Sequence, residues 1–263
     1  MTTIADLERW DREHVWHAFT QMAEYQPFII RRASGCRLVD VRGREFLDGV
    51  SSLWCNVHGH RHPLIDAAIR EQLGQVAHVT NLGMSNVATI WLAKRLADLS
   101  PPGLRHVFFS GDGSSAVEVA LKMAFQYWQQ RNDPRSGKTK FLAFGDAYHG
   151  DTLGSVSVGG VARFHELFRP LLFETVRMPL PDPFRLPPGI TRETACDHYL
   201  KQLAAELDQH HESIAAVVIE PLMQCAAGMV KHPEGFLRGV RDLTNKYDVL
   251  LIADEVAVGF GRT

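Results

Sequence analysis

Cysteine is scarce. The chain holds four in 263 residues, Cys36, Cys55, Cys196 and Cys225, and no two stand in CxxC spacing, which argues against a disulfide framework and fits a reducing, cytoplasmic compartment. A charge excess of one sign is also missing. Lys and Arg total 28 against 30 Asp and Glu, a net of -2, and the basic residues are scattered rather than striped, so no nucleic-acid partner is expected. No apolar run approaches the ~20 residues of a membrane span. Ile214–Ile219 is typical of those present, and Asp6, Glu8, Asp11 and Glu13 occupy the place where a signal peptide needs an apolar core, so no membrane association is expected either. A P-loop is absent as well. GDGSSA, residues 111–116, has no Lys-Ser/Thr after its glycines and does not match GxGxxG.

With 45% hydrophobic and 22% charged residues, the composition predicts one large globular domain plus an appendage. The most informative stretch is residues 107–127, VFFSGDGSSAVEVALKMAFQY. Val107, Phe108 and Phe109 predict a buried strand, Gly111 and Gly113 a tight turn, and Ser114 and Ser115 the N-cap of a helix with an apolar face of Val117, Leu121, Phe125 and Trp128. Free amides at such a helix start favour an anion of phosphate size. On these residues alone a second reading stays open, because Ser115-Ala-Val-Glu118 is also a capping box that needs no ligand.

Residues 1–70 read as an N-terminal segment. It has a polar helix, short strands broken at Ser34-Gly35 and Arg42-Gly43, and the crowded loop SSLWCNVHGHRHP. In that loop His58, His60 and His62 alternate as zinc ligands on a strand can. Gly59 and Pro63 oppose a regular strand and no HExxH or neighbouring carboxylate completes a set, so no metal is expected and Trp54 is read as packing or lining a pocket. A helix over 64–73 leads from that segment into residues 71–263, which read as the main domain, with a helix over 86–99, strands at Lys140–Phe144, 176–178, Ile214–Ile219 and 249–253, a surface loop PLPDPFRLPP, a helix capped by Thr194 and another over 233–247. This alternation predicts an α/β fold with a mixed, mostly parallel sheet flanked by helices. Such sheets bind ligands beyond the carboxyl ends of their strands, so Gly111 to Ser115, Tyr148, His149, Glu220, Gln224 and Asp254 are expected to converge. Asp254 ends the apolar run VLLIA and must meet a cation or donor there: a protonated ring nitrogen, a helix start or an arginine.

HVWHAFTQM, SSLWCNVHGHRHP, GDGSSAVEVALKMAFQYW, AYHGDTLGSVSVGG, IEPLMQCAAGM and LLIADEVAVGFGRT together resemble the class III, ω-type aminotransferases, pyridoxal-phosphate enzymes of the aspartate aminotransferase fold. The resemblance runs from residue 14 to the last residue. It implies that Gly113 and Ser114, with Ser115 adjacent, bind the cofactor phosphate, that Tyr148 stacks on the ring with Val256 on its other face, and that Asp254 pairs with the pyridine nitrogen. Kept protonated, that ring takes up the electron pair left when the substrate Cα–H bond breaks. By the same resemblance Phe19, Leu53, Trp54, Glu220 and Arg262 are substrate residues. The branch it is most similar to aminates 8-amino-7-oxononanoate in biotin biosynthesis, as a cytoplasmic homodimer.

Four positions depart from the pattern. Phe19 and Leu53 stand where members using S-adenosylmethionine often carry tyrosine and tryptophan, which leaves lysine open as the amino donor, and Cys225 and Val258 stand where glycine and threonine are usual. None of the seven lysines matches the family's Schiff-base lysine. The resemblance therefore implies a fragment without the C-terminal domain, inactive alone. Another class III ω-amino acid or diamine transaminase, or a remnant that only binds, is the alternative expectation.

Overall fold

The computed structural model describes residues 2–263, the side chain of residue 164 excepted, and divides into a unit ending at Val107 and a unit spanning Phe108–Thr263. In the first, α1 (Ile4–His14) begins with a reciprocal Thr3/Asp6 capping box. Strands β1 (Ile30–Ser34), β2 (Arg37–Asp40) and β3 (Glu45–Leu47) form an antiparallel meander that turns at Gly35 and Gly43, both with positive φ. Then comes α2 (Ser51–Trp54), a single turn wound left-handed, with φ of 51°, 48°, 59° and 71° along its four residues. Left-handed winding of L-residues costs roughly 1–2 kcal/mol each, so other contacts must hold this turn. Helices α3 (Pro63–Leu73) and α4 (Val87–Leu99) follow, the latter capped by Asn86, which accepts from the Thr89 amide at 2.9 Å.

The second unit opens with α5 (Gly113–Gln130), then β4 (Lys140–Phe144), the short helices α6 (Leu153–Val158) and α7 (Ala162–His165), a 3-10 turn (Glu166–Leu171) and β5 (Thr175–Met178). It continues through α8 (Arg192–His210), β6 (Ile214–Ile219), a small hairpin of β7 (Met223–Gln224) and β8 (Val230–Lys231), α9 (Phe236–Lys246) and β9 (Leu250–Ala253). The sheet runs β5-β4-β6-β9 with every ladder parallel. One face carries Leu142, Phe144, Val217 and Ile219 against Tyr199, Leu203 and Leu207 of α8 and Phe236 and Val240 of α9. The other carries Phe141, Ala143, Ala216 and Val218 against Val117, Leu121, Ala124 and Trp128 of α5. Covered on both sides, β6 is buried throughout, which is why it reads as an unbroken apolar run.

Several local expectations change. Residues 107–109 form no strand: Phe108 is exposed, and no strand among the described residues pairs with the segment, so its amides find no ladder. Asp112, not Ser114 or Ser115, caps α5, and Ala124 rather than the exposed Phe125 completes its buried stripe. Thr191 caps α8, with Thr194 as its capping-box partner one turn in. Gly235, with φ of 82°, is the N-cap of α9, which starts at Phe236, three residues later than the sequence indicated. The proline-rich loop is not wholly superficial, since Pro181, Asp182 and Pro183 are buried and the Tyr199 hydroxyl donates to the Asp182 carbonyl. His60 meets Asp48 at 2.7 Å, while the His58 and His62 rings lie edge to face at 5.9 Å.

Candidate active site

The chain leaves β4 for β5 on one side, and β6 and β9 lie on the other. Connections that diverge from adjacent parallel strands open a crevice beyond their carboxyl ends. The loop after β4, Glu220 after β6 and Asp254 after β9 all reach that edge.

Glu220 is buried and staples the edge together. Its Oε1 accepts from the Tyr148 amide at 3.1 Å and its Oε2 from the Cys225 amide at 2.9 Å, so one carboxylate fixes the loops after both β4 and β6. Burial pushes its pKa up against the pull of those two amides. Gln224 adds a second staple, Nε2 donating to the Gly145 carbonyl at 2.8 Å.

Among the described residues Asp254 pairs with neither an arginine nor a helix start. Its Oδ2 lies 2.8 Å from His149 Nδ1 and its Oδ1 accepts from the Val256 amide at 3.1 Å. An acceptor carboxylate selects the Nδ1–H form of His149. Two of the roughly four lone-pair directions of Asp254 are thus used, and the rest stay available to a further donor.

The cup at the start of α5 is held by hydroxyls. Ser114 Oγ accepts from the Thr152 amide at 3.0 Å, lies 2.9 Å from Thr152 Oγ1 and donates to Ser155 Oγ at 3.1 Å. Ser115 turns away, its amide and hydroxyl both donating to Asp112 at 2.8 and 2.9 Å. Glu118 does not close a capping box; its Oε1 accepts from the Gly154 amide at 2.7 Å and ties α5 to α6. Tyr148 donates its hydroxyl to Asp151 at 2.6 Å, and its ring lies nearly parallel to that of His165 at 6.3 Å. Burial, then the Asp151 bond, raises the phenol pKa well above its ordinary value.

Val256 and Arg262 are exposed in the second unit, Arg262 close enough to lower a Cys225 thiol that burial pushes up. Phe19, Leu53 and Trp54 belong to the first unit, the first two exposed and Trp54 half-buried. Sequence reasoning took Asp112 only as part of the Gly111 to Ser115 turn and passed over Gly150, Asp151, Thr152 and Ser155. The signal was the density of Gly, Ser and Thr in HGDTLGS directly after a buried strand.

Pyridoxal phosphate, the cofactor implied by the resemblance, fits these residues. Gln224 Oε1 and His149 Nε2 are buried without a hydrogen-bond partner among the described residues, so polar atoms beside the carboxyl ends await one. A Cβ on Gly113 would lie 3.0 Å from both Val256 methyls, so glycine keeps the cup open beside the residue expected on the ring face. Gly150 has φ of 115°, and a Cβ there would sit 2.3 Å from Ser114 Oγ. Gly150→Ala is accordingly expected to displace Ser114 and weaken phosphate-dependent cofactor binding about tenfold or more, read by absorbance titration.

The class III aminotransferase family model matches residues 19–263. Adenosylmethionine-8-amino-7-oxononanoate aminotransferase of Geobacter sulfurreducens is 49% identical over 98% of the chain and 57% of its own length, and that of Nitratidesulfovibrio vulgaris 51% identical over 98% and 48%. The solved structure of the enzyme of that name from Methanocaldococcus jannaschii aligns with a TM-score of 0.88 at 42% identity, over 98% of this chain and 56% of that one. An (S)-enantioselective ω-transaminase from Thermomicrobium roseum aligns at 0.93 and 34%, over 100% and 59%. The chain spans about half the length of these relatives. It belongs to the class III aminotransferases.

Proposed function

We propose that the protein is a pyridoxal-phosphate transaminase of biotin biosynthesis that moves an amino group onto the ketone of 8-amino-7-oxononanoate. The observation that carries this reading is the Asp254–His149 pair at the carboxyl end of the sheet, set among residues half identical to enzymes named for that reaction. When bound, the cofactor supplies an electron sink for the pair left at the substrate Cα. The chain's own residues would do the holding: Gly113 and Ser114 would take the phosphate, Asp254 would keep a proton on the ring nitrogen, and Tyr148 and Val256 would pack on the ring. Glu220 positions the Tyr148 loop, and Phe19, Leu53, Trp54 and Arg262 are assigned to substrate.

S-adenosylmethionine, the donor in the relatives' names, and lysine are the two donors to compare, because Phe19 and Leu53 depart from the pattern of adenosylmethionine users. The protein is read as cytoplasmic; no helix of the described residues is long and apolar enough to cross a membrane. It is read as a homodimer from the apolar surface of the first unit, where Leu64, Ile69, Val87 and Trp91 are exposed on α3 and α4. The likeness to the Thermomicrobium roseum ω-transaminase supports one alternative, an ω-amino-acid transaminase.

Half-reactions of the active enzyme, followed by cofactor absorbance, test the assignment. The 8-amino-7-oxononanoate ketone is expected to return the aminated enzyme to its starting spectrum. If that ketone fails while pyruvate succeeds, the ω-amino-acid reading replaces this one.

A further inference from the structure

Residues 51–54 are Ser, Ser, Leu and Trp, none with a glycine's freedom, yet all four hold positive φ. Left-handed residues survive singly where local hydrogen bonds suffice; a run of four persists only when its surroundings over-determine it, and such runs concentrate at functional sites.

The surroundings here centre on one carboxylate. Asp48 Oδ1 accepts from the Ser52 amide and Asp48 Oδ2 from the Ser52 hydroxyl, both at 2.8 Å, while His60 Nε2 lies 2.7 Å from the same Oδ2. The backbones of both side chains are fixed on the β1–β2 corner. The Asp48 amide donates to the Cys36 carbonyl at 2.9 Å, and His60 pairs with Gly35 through two backbone bonds of 2.8 and 3.0 Å. Within the turn, the Trp54 amide donates to the Val50 carbonyl at 2.8 Å and the Asn56 amide to the Ser51 carbonyl at 3.0 Å. The carboxyl is correspondingly held to a pKa of about 2, chiefly by the Ser52 amide and then by His60. No residue of the turn is fully buried: Trp54 is half-buried and Leu53 is 69% exposed.

We propose that Asp48, backed by His60, is a positioning residue that keeps α2 left-handed and thereby sets the direction in which Leu53 and Trp54 meet the substrate. The inference rests on the transaminase reading for what those two residues meet. The clamp itself rests on the geometry of the first unit alone.

The test compares wild-type holoenzyme with Asp48→Ala and with the milder Ser52→Ala, which removes only the hydroxyl bond. In Asp48→Ala, amide exchange over residues 51–56 is expected to accelerate about tenfold or more, and KM for the amino acceptor to rise about tenfold, with kcat and cofactor absorbance within about twofold of wild type. Ser52→Ala shifts both readouts the same way by less, and decides the matter if Asp48→Ala fails to fold. Unchanged exchange over residues 51–56, or faster exchange with unchanged KM, overturns the proposal. If wild type does not use 8-amino-7-oxononanoate, the functional reading fails instead. KM for the keto acid it does use, such as pyruvate, then carries the same comparison.

Discussion

Asp254→Asn in the active enzyme is expected to slow transamination by about 10²–10³-fold while most cofactor binding survives. Asp254 is 8% exposed and shares its oxygens with His149 and the Val256 amide, so its charge acts in a poorly solvated setting where it strongly favours a proton on a facing ring nitrogen. An amide keeps the shape and can still accept from His149 Nδ1. In the proposed site it removes the charge that would keep the ring electron-poor. The phosphate contacts proposed for Gly113 and Ser114 lie elsewhere and are expected to persist. Tyr148→Phe serves as the contrast: it loses the 2.6 Å bond to Asp151 but keeps the aromatic face, and a smaller loss of kcat is expected. Near-wild-type turnover in both variants, with cofactor saturation checked by absorbance, counts against the site.

The second large effect concerns stability in acid. His232 is buried edge-on to Phe236 at 5.6 Å, and neither ring nitrogen has a hydrogen-bond partner among the described residues. Burial alone lowers its pKa to about 4. The native state therefore excludes a proton that the unfolded chain binds near pH ~6.5. Between those values the unfolded state holds more protons, so this contribution is complete above pH ~6.5 and is lost as pH falls toward ~4, about 3 kcal/mol in all. Urea midpoints of wild type and His232→Leu across that range provide the check. The wild type is expected to lose more stability on acidification than the variant; parallel losses would place the acid sensitivity elsewhere.

What the sequence made legible follows from which interactions are local. Lys140–Phe144 and Ile214–Ile219 were readable to the residue because strands covered on both faces carry near-continuous apolar runs, here Phe141 to Phe144 and all of Ile214–Ile219. Residues 107–109 have the same composition and no strand, since pairing is decided by a neighbour that composition does not encode. Asp112, Ser114 and Ser115 are all competent N-caps, and the choice among them turns on φ/ψ at one residue. Asp254 stood out as a charge at the end of VLLIA, but its partner His149 is 105 residues away and could be placed only near the same edge. The left-handed turn at Ser51–Trp54 left no local sign whatever. Its cause is Asp48 and His60, which lie outside the turn on either side.

Labelled cofactor gives the most direct test of the site. The 15N chemical shift of the pyridine nitrogen is measured in pyridoxal phosphate bound to the active enzyme and to Asp254→Asn, at an alkaline pH where the free cofactor's ring nitrogen is unprotonated. A protonated nitrogen in wild type and an unprotonated one in Asp254→Asn is the predicted result. The same shift in both proteins would contradict the assignment of Asp254, and with it the carboxyl-end cluster, as the cofactor site.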